Sequence, residues 1–213
     1  MKFYISILLC SLLFSLSERY HTFYEIEQKL HEWELEFSDN QNPWPSYYPE
    51  SGIIYQLYEI GRSETDDLPI YAVKLSYNAN EDQDEARVLI LGQCHAEEIY
   101  GVEIAMELID WLLHPNAFYP VGYPDRKMAI ENTEIWVVPT YNPEGLLTVH
   151  GDVIQDEWIQ DEWYRKNKTD INENNLFDYA YGPGNDSDGV DLNRNYDFNW
   201  IFGDKQYELD YGC

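Results

Sequence analysis

Apolar residues recur every three or four positions along the first periodic segment of the chain, between residues 22 and 37. This spacing places them on one side of an α-helix. Thr22 and Glu25 at the start of the segment form the capping-box pattern that begins a helix. The pattern therefore predicts a helix over 22–37, with its apolar side formed by Phe23, Ile26, Leu30, Trp33 and Phe37.

Four shorter apolar runs follow, and each has the length of a β-strand. The runs at 53–60 and 70–77 are separated by an acidic, turn-rich stretch, and the run at 88–91 reads Val-Leu-Ile-Leu. A continuous apolar run of this kind is typical of a central strand that is buried on both faces. The fourth run, at 135–138, is closed by Pro139.

A second helix is predicted between the last two strands, because apolar positions recur at helical spacing from Ile99 to Leu113, before His114-Pro115 ends the pattern. Beyond Thr140 the chain is rich in Asn, Asp and Gly and shows little periodicity, so we expect mostly functional loop there. The alternation of strands and helices predicts an α/β domain, with helices packed on a mixed, largely parallel sheet. Ligands of such domains bind at the carboxyl ends of the strands.

The first 17 residues form a separate unit. Lys2 precedes an apolar run from Phe3 to Leu16, and small residues follow at the positions that determine cleavage. This layout predicts a signal peptide over 1–17 and a secreted domain over 18–213. The apolar run is shorter than the roughly 20 residues that a helix needs to span a bilayer, so a membrane anchor is disfavoured.

The charge balance narrows the choice of partners. Forty acidic residues against 13 basic ones give a net charge of -27. Such a surface repels nucleic-acid phosphates and anionic lipids, so neither nucleic acid nor a membrane is an expected partner. Cationic peptides would be attracted, although solubility alone would account for the charge. We expect a monomer.

The first candidate for chemistry is the segment His95-Ala96-Glu97-Glu98. It follows the run at 88–91 and leads into the second helix, so both outer side chains are expected where a strand end meets a helix N terminus. One His and one Glu are suitable ligands for Zn²⁺. His31 and Glu34 have the same spacing inside the first helix, where a solvated polar face accounts for them. We therefore expect only the 95/98 pair to come within joint metal-binding distance.

A catalytic zinc site takes three protein ligands and one water, and no third ligand is evident. His114 lies on the same helix as Glu98 and roughly 24 Å away from it. His21 and His31 belong to the surface of the first helix. His150, in the segment predicted as loop, is the histidine that distance does not exclude.

A second candidate is Gly189–Tyr196, where Arg194 is flanked by Asn193 and Asn195 after a loop rich in Gly and Asp. A guanidinium with neighbouring amides suits the capture of a carboxylate. On spacing alone, a surface arginine in a salt bridge would be the simpler explanation.

Four segments, in this order, resemble motifs of the M14 metallocarboxypeptidases, a family of zinc carboxypeptidases. Leu89–Glu98 is similar to the first zinc-binding motif of that family. Tyr141–Gly145 resembles its Asn-Pro-Asp/Glu-Gly segment, and Trp163–Asn167 its Trp-Arg-Lys-Asn stretch with one residue, Tyr164, added. Gly189–Tyr196 is similar to its Val-Asp-x-Asn-Arg-Asn motif. Together they extend over most of the chain after the predicted signal peptide.

The resemblance implies a secreted, zinc-dependent exopeptidase that hydrolyses the C-terminal peptide bond of peptides and proteins. His95 and Glu98 would be zinc ligands. Arg165 would polarise the scissile carbonyl and stabilise the oxyanion. Asn193 and Arg194 would hold the C-terminal carboxylate of the substrate.

Two features set the sequence apart from the family pattern. Glu97 stands where the family usually has Arg, so a positive contact is lost. The family's third zinc ligand (a His), substrate-capping Tyr and general-base Glu belong to the second half of its domain, and the sequence ends at Cys213 before any of them. We therefore expect a zinc carboxypeptidase-like fold that lacks its C-terminal portion, with one Zn²⁺ on two ligands and no activity.

Two other functions stay open. A non-catalytic, peptide-binding relative of the enzymes is expected if the natural chain ends at Cys213. A related zinc deacylase acting on acyl-amino acids would also use the Asn193-Arg194 pair for the substrate carboxylate.

Overall fold

The computed structural model describes residues 18–37, 53–114, 123–180 and 188–196. The predicted signal peptide and Cys213 lie outside these residues. The described residues contain helices α1 (Phe23–Phe37), α2 (Tyr100–Leu113), α3 (Tyr123–Asn132) and α4 (Pro143–His150), and strands β1 (Tyr55–Arg62), β2 (Pro69–Leu75), β3 (Ala86–Gln93), β4 (Thr133–Thr140), β5 (Asp152–Ile154) and β6 (Glu157–Ile159).

Strands β1 to β4 form one mixed sheet in the order β1-β2-β4-β3, and β5 pairs with β6 in a separate hairpin. Strand β2 is antiparallel to both of its neighbours, whereas β3 and β4 are parallel. The predicted α/β class with a mixed sheet is confirmed. The expectation of a largely parallel sheet is not met among the described strands, because the two earliest strands enter as an antiparallel pair.

Helix α1 forms as its sequence predicts. Thr22 and Glu25 make the reciprocal capping contacts, with the Thr22 backbone N–H donating to the Glu25 carboxylate at 2.9 Å and the Glu25 N–H to the Thr22 hydroxyl at 3.4 Å. The five predicted apolar positions are all buried. They pack into the core cluster with β1, β2 and α2, which places the core on one side of the sheet.

Strand β3 differs from its prediction as a central, doubly buried strand. Among the described strands it lies at one edge of the sheet. Val88, Leu89 and Leu91 are 45%, 63% and 46% exposed, respectively. The apolar sequence of β3 therefore suits a strand that is buried on both faces, but the described residues leave these three side chains partly exposed.

Four elements were missed by the sequence analysis: α3, α4, β5 and β6. Half of the α3 residues are polar and they are not confined to one side, so the helix lacks an apolar period, and α4 and the β5–β6 hairpin lie where loop was expected. All eight residues of α4 are buried, and a helix buried all round shows no amphipathic pattern. Its start is nevertheless marked in the sequence, because Asn142 caps it and Pro143 occupies the first turn. None of the described helices is both long enough and apolar enough to cross a bilayer.

Candidate active site

The carboxyl end of β3 and three later loops form the candidate site. His95 lies two residues after β3, and Glu98 lies in the turn just before α2 rather than within its first turn. The backbone N–H of Ala96 donates to the carbonyl of Arg165 at 3.0 Å, which joins the first loop to the segment after β6. His95 and Glu98 thus lie at the carboxyl end of a strand, which is where ligands of α/β domains bind.

Asn142 holds these loops together from the centre. Its amide nitrogen donates to the carbonyl oxygens of Cys94 at 2.9 Å and Lys166 at 3.0 Å, and its amide oxygen accepts from Gly145 N–H at 3.1 Å. A side chain on Gly145 would meet the Lys166 carbonyl oxygen at 2.5 Å. The Asn-Pro-Glu-Gly segment therefore supports the site structurally, since it positions the loops on both sides of it.

His95 is buried, with 6% of the residue exposed. Its Nε2 atom lies 3.1 Å from Oδ1 of Asp191. Its Nδ1 atom lies 3.1 Å from Oε1 of Glu98. The second contact lacks hydrogen-bond geometry, and Nδ1 is a buried nitrogen with no hydrogen-bond partner among the described residues.

The contacts of Nε2 allow two arrangements of the His95 proton. Arg165 Nη2 also lies 2.8 Å from Nε2, and because a guanidinium only donates, Nε2 either accepts from Arg165 or donates to Asp191. In the second arrangement the proton is on Nε2, and the lone pair of Nδ1 faces the Glu98 carboxylate, as a metal ligand requires.

The separation of these two atoms is close to that of two ligands of one cation. Zn²⁺ binds His nitrogen and carboxylate oxygen at about 2.0–2.2 Å, so two ligands of a tetrahedral site lie roughly 3.3–3.6 Å apart. The 3.1 Å between Nδ1 of His95 and Oε1 of Glu98 is slightly shorter, so a small outward movement of either side chain would admit the ion. The contact of Nε2 with Asp191 is the carboxylate–histidine arrangement that commonly orients a zinc ligand. The described residues nonetheless contain no group of three or more His, Cys, Asp or Glu side chains suited to hold a metal ion.

Arg165 is fixed between two carboxylates. Its Nε atom donates to Asp191 at 3.0 Å and its Nη1 atom to Glu97 at 3.1 Å. Burial favours the neutral form of each group, but these bonds and charges outweigh it, so the pKa of Arg165 is raised and that of Asp191 is lowered. Two carboxylates contact the guanidinium and a third, Glu98, contacts the neighbouring His95. This excess of negative charge favours a cation at the site.

The inserted Tyr164 does not displace Arg165 from the site. Tyr164 is 2% exposed, its ring packs edge-on against Phe177 at 6.0 Å, and its hydroxyl donates to the Asn167 carbonyl. The neighbouring Trp163 is exposed. The side chain of the additional residue thus packs in the core, and Nη2 of Arg165 lies next to Nε2 of His95.

The histidine in α1 corrects one expectation. His31 Nδ1 lies 3.2 Å from Oε2 of Glu34, so distance does not separate this pair from His95 and Glu98. The His31 contact is a true hydrogen bond, and Nε2 of His31 also lies 3.3 Å from the Tyr71 hydroxyl. Its side chain is 48% exposed. What distinguishes the two pairs is therefore burial and the unpaired Nδ1 of His95.

His150 does not supply a third ligand in this structure. It lies in the last turn of α4, not in a loop, and the described residues do not group it with His95 and Glu98. It is buried, and burial lowers its pKa.

Asn193 and Arg194 lie two and three residues after Asp191, in a short 3-10 helix over Leu192–Arg194. Asp191 caps this turn, because its Oδ1 atom accepts from the Asn193 N–H at 2.9 Å. The Arg194 side chain is exposed and donates to the Asn193 carbonyl at 3.1 Å. Asp191 thereby links the segment to both His95 and Arg165.

The sequence analysis assigned no role to Asp191 or Glu97, although both contact Arg165. A zinc-binding His usually donates its second N–H to a carboxylate, so an Asp beside the Asn193-Arg194 pair was a detectable candidate. For Glu97 the sequence provided a weaker indication of a role in the site, namely that the family usually has Arg at this position.

Comparison with known proteins gives the family. The sequence model of the zinc carboxypeptidase family, peptidase M14, matches residues 49–210. The chain belongs to the zinc carboxypeptidase family. Membership implies zinc as the cofactor of the family's enzymes and supports a carboxypeptidase-like function.

Two similar sequences agree with this assignment. A zinc carboxypeptidase of Saccharothrix mutabilis subsp. capreolus is 28% identical over 134 residues, which are 62% of this chain and 25% of that protein. Carboxypeptidase SOL1 of Arabidopsis thaliana is 27% identical over 92 residues, which are 43% of this chain and 18% of that protein. The chain thus aligns with a quarter or less of these relatives.

Solved structures agree on the fold. The carboxypeptidase A from Helicoverpa armigera has a TM-score of 0.57 and 22% identity, over 85% of this chain and 34% of that one. Thrombin-activatable fibrinolysis inhibitor (TAFI) also has a TM-score of 0.57, with 17% identity over 86% of this chain and 36% of that one. The predicted zinc carboxypeptidase-like α/β fold is confirmed.

Proposed function

We propose that this member of the zinc carboxypeptidase family provides the metal-binding and substrate-holding part of the active centre of a secreted exopeptidase. The reaction is hydrolysis of the C-terminal peptide bond of peptides and proteins. The observation that carries the proposal is the buried Nδ1 atom of His95, which faces the Glu98 carboxylate and has no hydrogen-bond partner among the described residues.

His95 and Glu98 are the proposed ligands of one zinc ion. When bound, zinc lowers the pKa of a coordinated water and polarises the substrate carbonyl. Asp191 keeps the proton of His95 on Nε2, which leaves Nδ1 free for the metal. Its carboxylate also raises the basicity of the imidazole as a ligand.

Arg165 is the proposed electrophilic group. Asp191 and Glu97 hold its guanidinium at two different nitrogens, so the positive charge is oriented before substrate binds. A preorganised cation beside a reacting carbonyl stabilises negative charge that develops on the oxygen. Because the guanidinium stays charged near neutral pH, it does not compete for a proton.

Asn193 and Arg194 are the proposed partners of the substrate's terminal carboxylate. The Arg194 side chain is exposed, and its described hydrogen bond is to a neighbouring backbone carbonyl rather than to a carboxylate. An exposed guanidinium of this kind can bind a carboxylate in the bidentate geometry that arginine favours.

We further propose that the 213-residue chain expressed by itself binds zinc and peptide carboxylates but does not turn peptides over. The described residues provide two proposed zinc ligands, and they provide no carboxylate that we assign as general base. Secretion is proposed from the leader pattern over residues 1–17.

The experiment compares peptides that end in a free carboxylate with the same peptides ending in a carboxamide. We expect the chain to bind the free acids more tightly, and Arg194→Ala to weaken this binding by roughly tenfold while leaving the amides unaffected. Arg62→Ala, which removes an exposed arginine on β1, is the matched control. Equal binding of acids and amides would contradict the proposal, and preference for acyl-amino acids over peptides would favour the deacylase.

A further inference from the structure

Glu97 has one carboxylate oxygen paired and the other unpaired. Its Oε1 atom accepts from Arg165 Nη1 at 3.1 Å. Its Oε2 atom is buried and has no hydrogen-bond partner within the described part of the chain. The side chain as a whole is 23% exposed, so part of Glu97 is accessible from solvent.

An unpaired buried carboxylate oxygen is unfavourable in a folded protein, because the atom has lost water without gaining a donor. In the described residues the Arg165 nitrogens contact Oε1 of Glu97, Asp191 and His95, and no donor reaches Oε2 of Glu97. Glu98 adds another negative group beside it. A donor with positive charge, brought by a ligand, would complete the hydrogen bonding and reduce the excess charge.

The geometry of Arg165 indicates which part of a substrate would bring that donor. Asp191 contacts Nε of the guanidinium and Glu97 contacts Nη1, so the two carboxylates lie at different ends of the group. The Asp191 end continues directly into Asn193 and Arg194. A peptide with its terminal carboxylate there and its scissile carbonyl at Arg165 therefore extends, on its amino-terminal side, toward Glu97.

We propose that Glu97 is a specificity-determining residue that selects peptides with a cationic side chain on the amino-terminal side of the scissile bond. The inference rests on the proposed function for the direction in which the substrate lies. A neutral or positive residue at position 97 would lack this selectivity. The net charge of -27 acts in the same direction, since it attracts cationic peptides over longer range.

The test measures the affinity of the 213-residue chain for three peptides that differ in the position of one lysine. Acetyl-Gly-Lys-Phe places the cation before the last peptide bond, acetyl-Gly-Phe-Lys places it after that bond, and acetyl-Gly-Gln-Phe has none. We expect acetyl-Gly-Lys-Phe to bind roughly tenfold more tightly than the Gln peptide, which is the effect of one charge-assisted hydrogen bond. Glu97→Gln should bring that ratio close to one.

Two controls separate this inference from general electrostatics and from the proposed function. Glu64→Gln removes one negative charge at an exposed position of the β1–β2 connection, and it should leave the ratio unchanged. The amide forms of the same peptides test carboxylate capture independently, so equal binding of acids and amides would overturn the proposed function even if the lysine preference persisted.

The peptide affinities of the native chain test the inference even if a variant folds poorly. Equal affinity for the Lys and Gln peptides, or a preference only for acetyl-Gly-Phe-Lys, would overturn it. A lysine preference that survives in a folded Glu97→Gln variant would also overturn it. Absence of binding by every peptide would overturn both proposals.

Discussion

The Nδ1 atom of His95 faces Oε1 of Glu98 at 3.1 Å without a hydrogen bond between them, whereas His31 and Glu34 make a hydrogen bond at 3.2 Å. The spacing in sequence and the distance in space are nearly the same for both pairs. The difference lies in Asp191, which contacts the other nitrogen of His95 at 3.1 Å and is placed to accept its proton, so that Nδ1 would be free for a metal. The α1 pair is therefore a natural internal control for the metal-binding role of the 95/98 pair.

Asp191→Asn should weaken zinc binding by about 10–100-fold, the usual effect of removing a carboxylate that orients a histidine ligand. The amide can still fill the space, so the fold should persist. Competition with a chromophoric chelator measures the affinity. Asp67→Asn, at an exposed aspartate that pairs with Arg62, is the matched control. Unchanged zinc affinity in Asp191→Asn would show that Asp191 does not support the ligand.

A buried ion pair on β2 and β4 predicts a pH dependence of stability. Lys74 and Glu134 are 2.8 Å apart, with 4% and 2% of their side chains exposed. The hydrogen bond from Lys74, with those from Gln83 and Arg87, lowers the pKa of Glu134 to about 2. Because the folded pKa lies below the ordinary value, ionised Glu134 stabilises the fold above about pH 5, and this contribution is lost as the pH falls toward 2.

The double variant Lys74→Met/Glu134→Leu removes this contribution without leaving an unpaired charge in its place. Between pH 7 and pH 3, we expect the native chain to lose about 2 kcal/mol more free energy of unfolding than the double variant. Glu134→Leu alone should cost about 3 kcal/mol at pH 7, because Lys74 stays buried without its carboxylate. Urea unfolding at the two pH values measures both effects. Parallel pH profiles for the native and double-variant chains would refute the assignment.

The exposed apolar side of β3 predicts association of the 213-residue chain with itself. Leu89 and Leu91 point to the same face of an edge strand and are largely exposed. Leu89→Lys/Leu91→Lys should therefore raise the protein concentration at which light scattering first detects aggregates. Leu35→Lys, at an 84% exposed leucine on α1, should have little effect. Equal improvement by the control would show that added charge, not the strand edge, is responsible.

Much of the fold follows from local sequence patterns, as α1 illustrates. Its five apolar positions and its capping residues specify one buried side and one start. The position of β3 in the sheet does not follow in the same way, because strand order is set by long-range pairing. Helix α4 was missed because it is buried on every side and therefore has no polar face to mark its period.

In the candidate site, too, the sequence predicted some features, and others depend on long-range contacts. The sequence motifs identified His95, Glu98 and Arg165, and the structure brings these three side chains together. The sequence could not show that Glu97 contacts Arg165, because residues 68 positions apart meet only through the fold. Nor could it separate His31 from His95 by spacing. The burial of His95 and its contact with Asp191 make that distinction, and both depend on tertiary contacts.

The most direct test of the account is a zinc titration of four forms of the 213-residue chain: native, His95→Ala, Glu98→Gln and the double variant His31→Ala/Glu34→Gln. The account predicts that the native chain binds one zinc ion and that either change at His95 or Glu98 weakens binding by at least about 100-fold, since each removes one of two protein ligands. The His31/Glu34 variant should bind as the native chain does. Native affinity in His95→Ala, or lost affinity in the His31/Glu34 variant, would contradict the assignment of the metal site.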